Sequence, residues 1–167
     1  MATLTSAQAA TSVPARHSGG ASVLHAAYGT YELTADPSPN DIIELCRVPA
    51  NARIVGGWMY VDEMDTGTET LDIDLGWAAN GGSGTYDAVD ADGFGNFGII
   101  SGDAFANPSV SRAAGSVIPF SGHFANGDMP KFTRTTMIQA TVIDDAATFV
   151  AGALSVVVLY VIEATAS

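Results

Sequence analysis

Between Leu71 and Trp77 the chain alternates with a period of two: Leu71, Ile73, Leu75 and Trp77 are apolar, and Asp72, Asp74 and Gly76 stand between them. Successive side chains of a strand point to opposite faces, so this segment reads as a strand with one dry face and one wet face. A helix would scatter the same carboxylates around its circumference. The rest of the chain repeats the theme, with short apolar runs bounded by turn-forming residues. A run over 22–33 is closed by Asp36-Pro37-Ser38-Pro39-Asn40-Asp41. A second over 42–48 is stopped by Pro49-Ala50-Asn51, and a third over 53–61 ends in Asp62-Glu63-Met64-Asp65-Thr66-Gly67. Gly, Pro, Asn and Asp mark turns because they tolerate or preset the backbone angles that turns require.

The second half continues in the same way. Residues 117–120 form a short candidate strand before the turn Ala125-Asn126-Gly127-Asp128, and 132–143 is rich in Thr, Ile and Val. There Ile138, Ala140 and Val142 share a face, with Gln139 and Thr141 opposite. In 153–162 both alternating sets are apolar, Leu154, Val156, Val158, Tyr160 and Ile162 against Val157, Leu159 and Val161. Such a strand is expected to be covered on both faces, at the centre of a sandwich or at a subunit interface. Residues 79–107, rich in Gly, Asn and Asp, read as a long loop with at most one short strand or helical turn. No heptad or long amphipathic helix is visible. Seven or eight short strands with turn punctuation predict an all-β fold, an antiparallel β-sandwich with jelly-roll connections. Residues 1–21 lack apolar periodicity and read as an extended, flexible N-terminal arm on a sandwich domain of residues 22–167.

Charge narrows the function. The 167 residues include 18 Asp and Glu against 6 Lys and Arg, a formal net charge of -12. Phosphate binding needs clustered Lys and Arg, so neither nucleic acid nor an anionic membrane surface is an expected partner. Residues 146–162 carry no charge, but Gly152 and Ser155 interrupt them and they fall short of the roughly 20 residues of a spanning helix. Disorder is excluded for most of the chain, since 47% of it is hydrophobic. Cys46 is the lone cysteine, so no disulfide forms within one chain, and its apolar surroundings suit a buried structural thiol. The first twenty residues have no basic segment followed by an apolar one, and so read as no secretory signal.

Acidity invites a search for carboxylate chemistry. Asp62, Glu63 and Asp65, and Asp144 with Asp145, fall in turns, where such side chains hold their own backbone. Asp72 and Asp74 read as a solvated strand face. A metal alternative arises at Asp87, Asp90 and Asp92, which with Asn96 put hard oxygen ligands in a glycine-rich loop suited to a structural calcium ion. The spacing is not that of the twelve-residue helix-flanked loop, because position three is Val89 and no Glu closes it. His17, His25 and His123 are too dispersed for a metal motif, a His-x-His strand is absent, and neither a Gly-x-Ser-x-Gly elbow nor a phosphate loop occurs. Trp58, Tyr60 and Trp77 could make a sugar-stacking platform, although Trp77 is in phase with the core face of its strand. No catalytic residue emerges, and the chain is not expected to be an enzyme or to need a cofactor, the structural calcium at Asp87, Asp90 and Asp92 standing only as an alternative.

Three segments carry a family resemblance. Val48-Pro49-Ala50-Asn51-Ala52-Arg53-Ile54-Val55-Gly56-Gly57, Leu71-Asp72-Ile73-Asp74-Leu75-Gly76-Trp77 and Gly152-Ala153-Leu154-Ser155-Val156-Val157-Val158-Leu159-Tyr160-Val161 resemble the strand-entry turn, the central strand and the closing strand of small virion proteins of tailed bacteriophages. These are the capsid decoration, or cement, proteins. The resemblance implies a homotrimeric β-sandwich on the outer surface of the virion, seated on the lattice of the major capsid protein, without catalysis. An arm bearing Arg16 and His17 would then touch the capsid, and Val157, Leu159 and Val161 would supply the subunit interface. A carbohydrate-binding β-sandwich on a virion or cell surface is the alternative.

Overall fold

The computed structural model describes residues 1–7, 9–10, 23–66, 68, 70–99 and 117–163, with 97–99 as backbone only. The fold is all-β. The strands are β1 (Thr3–Thr5), β2 (His25–Leu33), β3 (Ile42–Val48), β4 (Ala52–Val61), β5 (Asp72–Trp77), β6 (Asp90–Ile99), β7 (Val117–Pro119), β8 (Thr136–Asp144) and β9 (Gly152–Ile162), with a 3-10 turn at Gly122–Asn126. They form two sheets, ordered β1-β3-β8-β5-β6 and β2-β9-β4-β7. Neighbours pair antiparallel except β1 with β3, which run parallel.

The alternation along each strand decides what fills the space between the sheets. Ile43, Leu45, Ile73, Leu75, Trp77, Ile138, Ala140 and Val142 come from the first sheet, and Ile54, Met59, Leu154, Val156, Val158 and Tyr160 from the second. Each is buried, and full burial of a Val, Leu, Ile or Met side chain contributes roughly 1.5–3 kcal/mol. Two left-handed asparagines turn the chain as their sequence context predicts: Asn40 at φ 70° before β3 and Asn51 at φ 64° between β3 and β4.

Two regions differ from the sequence expectation. Within the expected loop of 79–107, residues 79–89 are turn and loop, residues 100–107 lie outside the described residues, and residues 90–99 form not a short strand but the ten-residue β6, although its sequence DADGFGNFGI is poor in strand-favouring residues. Tertiary packing overrides that propensity. Phe94 is fully buried, and Gly93 lies flat beneath the Trp77 indole, where any Cβ would enter the ring. At the other end, the first residues of the expected arm lie on the first sheet. Thr3–Thr5 pairs with Ile42, Ile43 and Glu44, the Ala2 amide donates to Asp41 Oδ1 at 2.7 Å, the Ser6 hydroxyl donates to the Leu45 carbonyl, and Ala9 is buried. Residues 11–22, including Arg16 and His17, lie outside the described residues. Among the described residues no helix is long and apolar enough to cross a membrane.

Candidate functional site

The two sheets turn very different outer faces away from the core. On the second sheet, β9 lies between β2 and β4, and its inward set is buried while Val157, Leu159 and Val161 are partly exposed. The expectation of cover on both faces therefore holds within this chain for one face only. Register builds rows across the open face. Tyr28, Val157, Trp58 and Pro119 form one row, Ala26, Leu159 and Gly56 a second, and Thr30, Ser155, Tyr60 and Val117 a third. Tyr28 is 47% exposed, Trp58 36% and Val117 52%. Apart from the buried His25, the strands of this sheet carry only Glu32 and Arg53 as acidic or basic residues, near the ends of β2 and β4. Arg53 is held by Glu163, which also accepts from Lys131 Nζ at 2.9 Å. Hydrogen bonds from Arg53 and then Lys131 hold the Glu163 carboxyl down at about 2.

Trp58 and Tyr60 sit on this face, but Trp77 does not join them. It is fully buried, donates Nε1–H to the Ala88 carbonyl at 3.0 Å and meets Phe94 and Phe132 edge-on. The three-residue platform is thus not assembled. The exposed aromatic that sequence reasoning missed is Tyr28. Its signal was the alternation of His25, Ala27 and Gly29 against Ala26, Tyr28 and Thr30, which puts Tyr28 on the outer side.

The outer face of the first sheet is polar and acidic. It presents Glu44 across from Gln139, and Thr141 across from Asp74, with Asp72 farther along β5. Arg47 is the only basic residue on the strands of this sheet. Asp74 is not the solvated residue expected, being 7% exposed. Burial, then the nearby charges of Asp72 and Asp92, pushes its carboxyl up to about 6, and burial followed by Asp144 raises Asp72 as well.

The residues of the alternative calcium site are spread apart. Asp87 is buried, and its oxygens accept from Asn80 Nδ2 at 2.7 Å, the Gly84 amide at 2.7 Å, the Thr133 amide at 3.0 Å and the Thr133 hydroxyl. Burial opposes its charge, but these donors outweigh burial and hold the carboxyl at about 2. Asp90 lies on β6 and pairs with His123 Nε2 at 2.9 Å, while Asp92 is exposed. Asp87 thus pins the 80–87 turn to the segment before β8. Among the described residues no three or more His, Cys, Asp or Glu side chains gather closely enough to hold a metal ion. Cys46 is buried, and burial pushes its thiol up to about 12, so it stays an inert packed group.

No family model matches the sequence, and no curated protein matches it. Solved structures do share the fold. A chain in the capsid of Ralstonia phage GP4 superposes with a TM-score of 0.72 at 22% identity, over 98% of this chain and 100% of that one. One in the cyanophage Pam1 capsid asymmetric unit gives 0.62 at 21%, over 90% and 93%. A third, in the acidic stable capsid structure of Helicobacter pylori bacteriophage KHP30, gives 0.53 at 16%, over 87% and 92%. What these three phage capsid structures share with this chain is a two-sheet all-β fold along nearly its whole length.

Proposed function

We propose that this chain is a structural virion protein, a decoration or cement protein without catalytic activity that binds the outer surface of an assembled phage capsid. The observation that carries the reading is the end-to-end likeness to a chain of the same extent in a phage capsid. The strand orders support a jelly roll. Apart from β1, the strands are arranged β2-β9-β4-β7 over β3-β8-β5-β6, so that β2, β3, β4 and β5 alternate between sheets and each central position brings together strands distant in sequence. The partner would be the major capsid protein, and self-association into a homotrimer would use the outer face of the second sheet, at Val157, Leu159 and Val161, where charge is confined to Glu32 and Arg53 near strand ends. Residues 1–21 would add contacts through Arg16 and His17.

Cosedimentation with capsids lacking the protein tests the role. Saturable binding to intact lattices is expected, and absence of binding would refute it. Light scattering behind size exclusion tests the trimer, which a stable monomer at micromolar concentration would contradict. The exposed pair Tyr28 and Trp58, flanking Val157, also suits the alternative of carbohydrate stacking. A glycan-array signal lost in Trp58→Ala, with folding retained, would favour that alternative.

A further inference from the structure

Asp72 and Asp74 both project from the outer side of β5, because Ile73 and Leu75 beside them are in the core. Thr141 stands directly across from Asp74 on β8 and faces the same way, since Ala140 and Val142 are buried inside. Side chains so related lie about 4.5–5.5 Å apart at Cβ, within reach of one shared ligand. Asp74 is 93% buried on its 7% exposure. Asp72 Oδ1, Asp74 Oδ1 and Thr141 Oγ1 are all sealed from solvent without a hydrogen-bond partner. Buried polar atoms are nearly always paired, and an orphaned one calls for an explanation.

Elsewhere this fold satisfies its buried carboxylates fully. Asp65 accepts four backbone amides, and Asp87 is held by Asn80, Gly84 and Thr133. At Asp72 and Asp74 the neighbours are instead acidic, with Asp92 and Asp144 close enough to add repulsion. None of the four ion pairs among the described residues reaches this group. Three orphaned oxygens on adjacent strands, two of them anionic and without a cationic partner among the described residues, have the chemistry of a hard-cation site.

We propose that Asp72, Asp74 and Thr141 bind a hard divalent cation of the calcium and magnesium class. Two carboxylates and a hydroxyl supply part of an oxygen shell, and water completes it, as such strongly hydrated ions accept. The site lies on the outer face of the first sheet, away from the Asp87, Asp90 and Asp92 loop where the sequence suggested calcium. It is independent of the capsid reading.

The test uses the full chain, stripped with chelator and returned to chelator-free buffer at pH 7.5, titrated calorimetrically with CaCl2 and separately with MgCl2. One saturable site is expected with at least one ion, with a dissociation constant below about 1 mM, the weak end of protein calcium sites. At tenfold over the dissociation constant the ion should raise the melting temperature by about 3–6 °C. Asp74→Asn should weaken binding at least about tenfold and Thr141→Val severalfold, while Asp128→Asn, beside His123, should bind as wild type. Thr141→Val keeps both carboxylates and reports on the site even if Asp74→Asn fails to fold. The proposal is overturned if neither salt gives saturable binding, if Thr141→Val and Asp74→Asn bind undiminished, or if NaCl of equal ionic strength reproduces the thermal shift.

Discussion

Neutralising Asp74 should stabilise the protein, and only above the pH at which that carboxyl ionises. Its folded pKa is about 6, against 3.8 for the ordinary side chain, through burial first and the charges of Asp72 and Asp92 second. Two units correspond to at most about 3 kcal/mol at 1.36 kcal/mol per unit. Asp92 is exposed and Asp72 only partly buried, so solvent screening reduces the expected cost to about 1–2 kcal/mol. The sign follows from linkage. A carboxyl whose pKa is raised by folding penalises the fold when ionised, and the penalty fades as pH falls through 6 and is gone below 3.8. Asp74→Asn carries no charge at any pH. In chelator at pH 7.5 it should melt about 2–8 °C above wild type, and by pH 4 the two curves should converge. Differential scanning calorimetry at several pH values between these limits reads the gap directly. A variant no more stable than wild type at pH 7.5, or a gap that does not change with pH, would refute the reasoning.

Other carboxylates should behave in the opposite sense. Asp65 is fully buried and accepts the amides of Thr70, Leu71, Ala147 and Thr148 at 2.7–3.1 Å, tying the approach to β5 to the β8–β9 connection. Asp65→Ala leaves those donors without their acceptor and should cost about 3–5 kcal/mol in urea unfolding, where a loss below about 1 kcal/mol would contradict the role. Asp87 and Glu163 are both held at about 2, so their stabilisation is complete above their ordinary pKa values and is lost as pH falls towards 2. Wild type should therefore lose stability steeply below pH 4, and Asp87→Asn should flatten that slope as followed by circular dichroism; an unchanged slope would show that Asp87 does not contribute. Leu159→Asp places a charge in the apolar centre of the second sheet's outer face while its Cβ stays outside the core. It should abolish self-association in light scattering with the far-ultraviolet dichroism unaltered, and a variant that still assembles would move the interface elsewhere.

The strands most legible in the sequence are those whose cause is alternation itself. The 42–48 run is β3 to the residue, and the 153–162 run lies within β9 because its inward set, Leu154 to Tyr160, is what the core demands. Trp77 was readable as core from phase alone. β6 was not, since its Gly, Asp and Asn carry no local strand preference and Gly93 is there to admit the Trp77 ring from another strand. β1 was hidden for a related reason: three residues, Thr-Leu-Thr, gain their place from pairing with β3 and from Asp41 accepting the Ala2 amide. Asp72 and Asp74 are indistinguishable in the pattern, which assigns a side of the sheet but not how deeply neighbouring strands cover it. That depth separates a solvated carboxylate from a buried one, and it decides where the candidate cation site falls.

The distribution of the few charges bears on how copies of this chain can meet. With only 14% charged residues and a net of -12, a uniform scatter would put acid on every face. Instead the strands of the second sheet hold, besides the buried His25, only Glu32 and Arg53, both near strand ends, while the first sheet gathers Glu44, Asp72 and Asp74. Two first-sheet faces brought together would oppose like charges and desolvate carboxylates, a costly arrangement unless cations intervene. Contact through the second sheet desolvates Val157, Leu159, Tyr28 and Trp58, whose burial is favourable, and leaves the acidic faces pointing apart. The same asymmetry separates the two proposals experimentally. Cation binding at Asp72 and Asp74 should proceed in the Leu159→Asp variant with unchanged affinity, since one sits outside the first sheet and the other outside the second.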